Sequence, residues 1–155
     1  MNFDEYRQHV RRTMPPSDER QILILTLGVV GELQEVFEAA GQQEDEELGD
    51  LLWYVTALEL ALSDVYTLPL SSLGIRDPDL FTEDLFRARV FSSRLAEAVK
   101  KLVGHQKLEK LSMVLKHLHD MRQLFASLEP ERLVAIMTAN VAKLQARYPE
   151  GFTCE

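Results

Sequence analysis

Six prolines, at positions 15, 16, 69, 78, 130 and 149, divide this chain into stretches whose apolar residues recur with the period of a helix. No stretch alternates apolar and polar like a half-buried strand, and proline, which lacks an N–H, ends helices rather than running through them. The pattern predicts an all-α fold. A short helix fits residues 3–13. A second starts at Ser17, with Asp18 and Glu19 in its first turn, and runs to about Ala40 before Gly41. A third covers about 44–68, and "PLSSLGIRDPD" reads as a linker. A fourth runs from about Thr82 to Val103, ending at Gly104. The last two cover about 106–128 and 130–147. Short connections at Gly41 and Gly104 predict two antiparallel helix hairpins, with terminal helices completing a bundle.

The hairpins can be laid on one another, residues 22–68 on 93–128. Leu33 then matches Leu95, and Glu35 matches Glu97. With one extra residue in the second connection, Leu48 matches Leu111 and Leu52 matches Leu115. In this alignment Glu32, Glu47 and Asp50 become Arg94, Lys110 and Met113, so any acidic site belongs to the first copy alone. At 155 residues the whole chain, 1–155, is expected to form one domain.

The segment "GELQEVFEAAGQQEDEELGDLLWY" raises a chemical question. Glu32 and Glu35 are three apart and share a helix face, as do Glu47 and Asp50 on the next helix. Residues 35 and 47 each lie six from Gly41, and residues 32 and 50 each lie nine from it. In an antiparallel hairpin the four carboxylates therefore converge, beside the apolar stripes of Leu25, Val29 and Val36 and of Leu51, Val55 and Leu58. Like charges so placed oppose folding unless a cation relieves them. Oxygen ligands suit Mg²⁺, with Mn²⁺ as a substitute, and retained waters leave room for phosphates. A carboxylate-bridged di-iron bundle needs a Glu-x-x-His pair, which the chain lacks. The competing explanation is a solvated acidic face on a non-catalytic helical module that binds metal or protein.

Charge and cysteine content narrow the class. A net charge of −8 argues against a general nucleic-acid binder. The single cysteine, Cys154, permits no disulfide within the chain. The charged amphipathic start has no apolar signal core, and the longest apolar run, "ILILTLGVVG", is too short to span a bilayer. A cytoplasmic protein without membrane attachment is the expectation.

Around the acids, in "GELQE" and "EELGDLLWYV", the chain resembles the MazG-like all-α nucleoside triphosphate pyrophosphohydrolases, a superfamily that includes the dimeric dUTPases. Their signature is Glu-x-x-Glu, a spacer, then Glu-x-x-Asp. The spacer here, eleven residues, is short for that pattern. "KKLVGH" at 100–105 and "NVAKLQARYPEGF" at 140–152 extend the resemblance, which spans about residues 22–68 and 93–153.

The resemblance implies cleavage of the α–β phosphoanhydride of a nucleoside triphosphate, dUTP or another (d)NTP, to a monophosphate and pyrophosphate, as in a nucleotide-pool-cleaning enzyme. Glu32, Glu35, Glu47 and Asp50 would hold Mg²⁺, and Glu35 or Glu47 would help to take the proton of the attacking water. A homodimer or higher homo-oligomer is also implied. Asn140, Lys143 and Arg147 fall at i, i+3 and i+7 of one helix, a neutral donor and two cations suited to phosphate. A solvated helix end with dipole-favoured cations explains the same residues. Lys100 and Lys101 carry the same two readings, and His105 is a lesser phosphate candidate. Tyr54, four after Asp50, faces the metal side and is a candidate contact for base or sugar. Trp53 and Tyr148 are expected to serve packing.

Overall fold

The computed structural model describes residues 1–41, 43–69 and 85–152. Among these every regular element is helical: α1 (Phe3–Thr13), α2 (Glu19–Glu38), α3 (Gln43–Tyr66), α4 (Leu85–Val99), α5 (Leu111–Ala126) and α6 (Pro130–Arg147). The all-α expectation therefore holds. No helix among the described residues is long and apolar enough to cross a membrane. The expected linker, beyond Pro69, and the expected start of the fourth helix at Thr82 lie outside the described residues.

Local chemistry sets the helix ends. Asn2 opens α1 with a reciprocal cap: its side chain accepts from the Glu5 N–H at 2.9 Å, and its own N–H donates to Glu5 Oε2 at 2.8 Å. At α2 the cap is Asp18, which accepts from the Gln21 N–H at 2.7 Å, and not the expected Ser17. The Ser17 hydroxyl is engaged elsewhere, donating to Asp64 at 2.6 Å. Asp64 also takes both Arg11 nitrogens at 2.7 and 2.8 Å, and these bonds hold its pKa below the usual carboxylate value. One carboxylate thus ties α1 and the α1–α2 connection to the end of α3.

The other departures from the expected boundaries are also local. Ala39 leaves the helical region with ψ 149°, ending α2 before the expected Ala40, and Gly41 takes the positive φ of 65° that the turn requires. The fourth helix keeps α geometry only to Val99 and ends in a π turn, Lys100–Gly104. A short 3₁₀ turn, Leu108–Lys110, then leads into α5.

The centre of the fold is α3. It packs against α1, α2, α5 and α6, and α4 packs on α2 and α5. Residues 55–63 of α3 are buried without interruption, so this half of the helix meets protein on every side. α2 contributes one stripe, Ile22, Leu25, Val29, Leu33 and Val36, at the spacing of a single helix face. α2 and α3 pack on one another across a short connection, whereas α4 and α5 pack across the longer segment 100–110 that holds the π and 3₁₀ turns, in place of the short connection expected at Gly104. A charge in the buried half of α3 needs a partner, and Glu59 has one: Arg122 of α5 binds it through both Nε and a terminal nitrogen. The Arg122 guanidinium also lies 4.1 Å from the centre of the Phe3 ring on α1.

The chain end folds back on its beginning. Tyr148 leaves the helix, Gly151 adopts φ 86°, and the Phe152 N–H donates to the Arg12 carbonyl at 2.8 Å. A Cβ on Gly151 would lie 2.8 Å from that same carbonyl oxygen, so the "RYPEGF" ending needs glycine there.

Candidate metal centre and adjoining cavity

α2 and α3 bring Glu32, Glu47 and Asp50 together. One carboxylate oxygen from each lies within 4.8 Å of the others, a spacing that fits shared ligation of one ion. Glu35 stands outside this tight triad on the exposed side of α2, within hydrogen-bonding reach of Glu47. The convergence expected from the sequence is therefore present for three acids, with the fourth at its edge.

The carboxylates repel one another, and Lys143 offsets this only in part. Burial, then the charges of Glu35, Asp50 and Glu47, raise the pKa of Glu32 to about 7. Burial, then Glu35 and Asp50, raise that of Glu47 as well. Glu32 Oε2 is buried and has no hydrogen-bond partner among the described residues. A buried carboxylate oxygen without a donor is costly by itself, and hard oxygen donors clustered this way fit Mg²⁺ or Mn²⁺.

Asp50 is held from α6. Asn140 Nδ2 donates to Asp50 Oδ1 at 3.0 Å, and Lys143 Nζ to Oδ2 at 2.5 Å. Lys143 also pairs with Glu46 at 3.0 Å. Burial alone would lower the Lys143 pKa, but its bonds to Asp50 and Glu46 outweigh this and leave it raised. The Tyr6 hydroxyl of α1 donates to Asn140 Oδ1 at 2.9 Å. Burial, followed by the Asp50 charge, raises the Tyr6 pKa and keeps it a donor.

Beside the triad opens a cavity of about 270 Å³. Glu32 and Asp50 form one end of its lining, Trp53, Tyr54 and Tyr148 supply aromatic walls, and Arg147 and Phe152 come from the chain end. Tyr54 faces it as expected. Trp53 does more than pack: one side meets the core, the other lines the cavity, and its Nε1 donates to Thr13 Oγ1 at 2.9 Å. The Trp53 and Tyr54 rings meet edge-on with centroids 5.0 Å apart, so neighbouring helix positions both reach the opening. Tyr148, also expected to pack, is exposed in the wall.

Of the expected cations, Lys143 and Arg147 reach the site and Lys100 and Lys101 do not. Lys100 and Lys101 pair with Glu97, at 2.7 and 3.4 Å, and neither lines the cavity. Glu97 precedes them by three and four residues, so a local partner was available on their own helix. His105 is exposed in the turn after the π segment. Arg94, Lys110 and Met113, at the positions aligned with the acids, form no second acidic group among the described residues.

Tyr54 owes its place to Gly28 of α2. A Cβ on Gly28 would lie 2.2 Å from two Tyr54 ring carbons, so the ring rests where any other residue would put its side chain. In an ordinary helix interior, glycine to alanine stabilises by about 1 kcal/mol. Here Gly28→Ala is expected to destabilise by about 1–3 kcal/mol, the usual effect of overpacking, because the ring must move. Urea unfolding checks the sign. Adding Tyr54→Ala to Gly28→Ala should recover the loss.

Comparison with family models, curated proteins and solved structures yields no match for this chain.

Proposed function

We propose that the protein is a metal-dependent nucleoside triphosphate pyrophosphohydrolase of the MazG-like kind. The observation that carries this reading is the triad of Glu32, Glu47 and Asp50, two of whose members, Glu32 and Asp50, line an aromatic-walled cavity that Arg147 also lines. A site for metal and phosphate alone has no use for three aromatic walls, whereas a nucleotide has both a flat apolar base and an anionic chain.

Glu32, Glu47 and Asp50, with Glu35 at their edge, would hold Mg²⁺ or Mn²⁺. A divalent ion bound there supplies charge for phosphate oxygens and acidifies a water. The remaining work falls to the chain's own groups. Tyr54, Trp53 and Tyr148 offer faces for the base, and Arg147 offers a forked donor for phosphate. Lys143 and Asn140 hold the two oxygens of Asp50 in place. Glu35 or Glu47 would accept the proton as water attacks the α-phosphorus and the α–β bridging bond breaks. Pyrophosphate then leaves with the bridging oxygen. A homo-oligomer belongs to the same proposal, supported by the exposed Leu27 and Val30 on α2.

The test is incubation with a panel of ribo- and deoxynucleoside triphosphates, dUTP included, with Mg²⁺ or Mn²⁺ and chromatographic analysis of products. Monophosphate and pyrophosphate in equal amounts are expected, and a chelator should abolish them. Orthophosphate as the first product would contradict α–β cleavage. Absence of turnover across the panel would favour a helical module that binds metal or protein without catalysis.

A further inference from the structure

Tyr6 stands on α1, 134 residues from Asn140 in the chain, and its side chain is fully buried. The hydrogen bonds that leave it run in one direction only. A carboxylate solely accepts, so Asn140 must present Nδ2, not Oδ1, to Asp50. Oδ1 then faces Tyr6 and is satisfied because the hydroxyl donates to it. Asn140 is itself 4% exposed, so water cannot readily replace either bond. Space for it comes from Gly49, the residue before Asp50. A Cβ there would lie 3.2 Å from Asn140 Cβ, closer than such atoms normally approach.

We propose that Tyr6 is a positioning residue for the metal centre: its hydroxyl anchors Asn140 at Oδ1, keeps Nδ2 on Asp50, and so holds that carboxylate in place beside Glu32 and Glu47. The inference rests on the reading of the triad as a metal site. Without the hydroxyl, Asn140 Oδ1 is left without its donor in a side chain only 4% exposed, and the amide is held at one end only, by Asp50. An amide free to shift toward another donor loosens its grip on Asp50 Oδ1, and that carboxylate keeps Lys143 alone as a firm partner. Outer-shell partners that orient a metal ligand are typically worth about 10–100-fold in metal affinity.

The experiment measures Mn²⁺ binding to nucleotide-free protein by electron paramagnetic resonance, with no turnover involved. Tyr6→Phe keeps the ring and its packing and removes only the hydroxyl. Its Mn²⁺ affinity is expected to fall by about 10–100-fold. Asn140→Leu should show a similar fall, and Tyr6→Phe added to Asn140→Leu should cause no further change, because the path through the amide is already cut. Arg11→Ala loosens the same helix by removing its pair with Asp64, away from the Tyr6–Asn140 bond, and should bind Mn²⁺ like the unaltered protein. Three results would overturn the proposal: normal Mn²⁺ affinity in Tyr6→Phe while Asp50→Asn loses it, an undiminished Tyr6→Phe effect in the Asn140→Leu background, or an equal loss in Arg11→Ala. In each of these the metal reading survives. Absence of Mn²⁺ binding in the unaltered protein would overturn the metal reading and this inference together.

Discussion

Glu32→Gln is expected to stabilise the metal-free protein above neutral pH while removing metal-dependent turnover. The folded-state pKa of Glu32 lies at about 7, above its ordinary value of 4.5. Between those values the folded protein retains a proton that the unfolded chain has released. Stability therefore declines as pH rises from about 4.5 to about 7, and the full deficit persists above that. Glutamine has no proton to release, so this component of the pH dependence should vanish. Thermal melts in chelator from pH 5 to 8 should show the unaltered protein losing ground to Glu32→Gln across that window. Asp50→Asn should behave differently, because Asp50 already has two partners from α6, and one of them, Lys143, would lose its counter-charge. Metal binding must displace the Glu32 proton, so its affinity should strengthen as pH rises through about 7. Removing a ligand should weaken metal affinity and turnover by more than the roughly 10–100-fold attributed to outer-shell partners. A Glu32→Gln protein that unfolds without metal, or that turns over normally with it, would contradict the assignment.

The acids were legible in the sequence because their convergence depends on short-range geometry. Residues three apart share a helix face, and equal distances on either side of Gly41 bring two faces together once α2 and α3 pack antiparallel. Proline positions set the gross helix limits for an equally local reason. The ambiguity between Ser17 and Asp18 is of another sort, since both residue types cap and only the distant Asp64 decides between them. Tyr6, Trp53 and Tyr148 were not legible as site residues. Each belongs to an apolar or aromatic pattern that packing alone explains, and its second role arises from a neighbour far away in the chain. Lys100 and Lys101 are the reverse case. Glu97 lies three and four residues before them, at the helical spacing of a local ion pair, and that local partner holds both.

The buried pair of Glu59 and Arg122 should dominate the stability of the fold. Glu59 in "ALELAL" interrupts an apolar stretch and so stands out as a charge in a core segment, whereas Arg122 in "HDMRQLF" sits among polar residues and gives no such signal. The structure joins them, with Glu59 2% and Arg122 1% exposed. Burial, and then the charge of Arg7, lower the Arg122 pKa, but a guanidinium holds its proton so strongly that it stays charged at neutral pH, and two of its nitrogens meet the two Glu59 oxygens. Arg122→Ala would leave a desolvated carboxylate in the middle of α3 and release Phe3 from the guanidinium. Loss of one partner from such a pair typically costs about 3–5 kcal/mol, a large part of the roughly 5–15 kcal/mol that holds a domain folded. The double replacement Glu59→Leu with Arg122→Met removes both charges and keeps most of the volume. It should recover most of the loss and can exceed the original stability, because neither desolvation penalty remains. Urea unfolding of the three proteins measures the difference. A loss below about 1 kcal/mol for Arg122→Ala would put the pair in the range of solvent-exposed bridges and contradict its burial between α3 and α5.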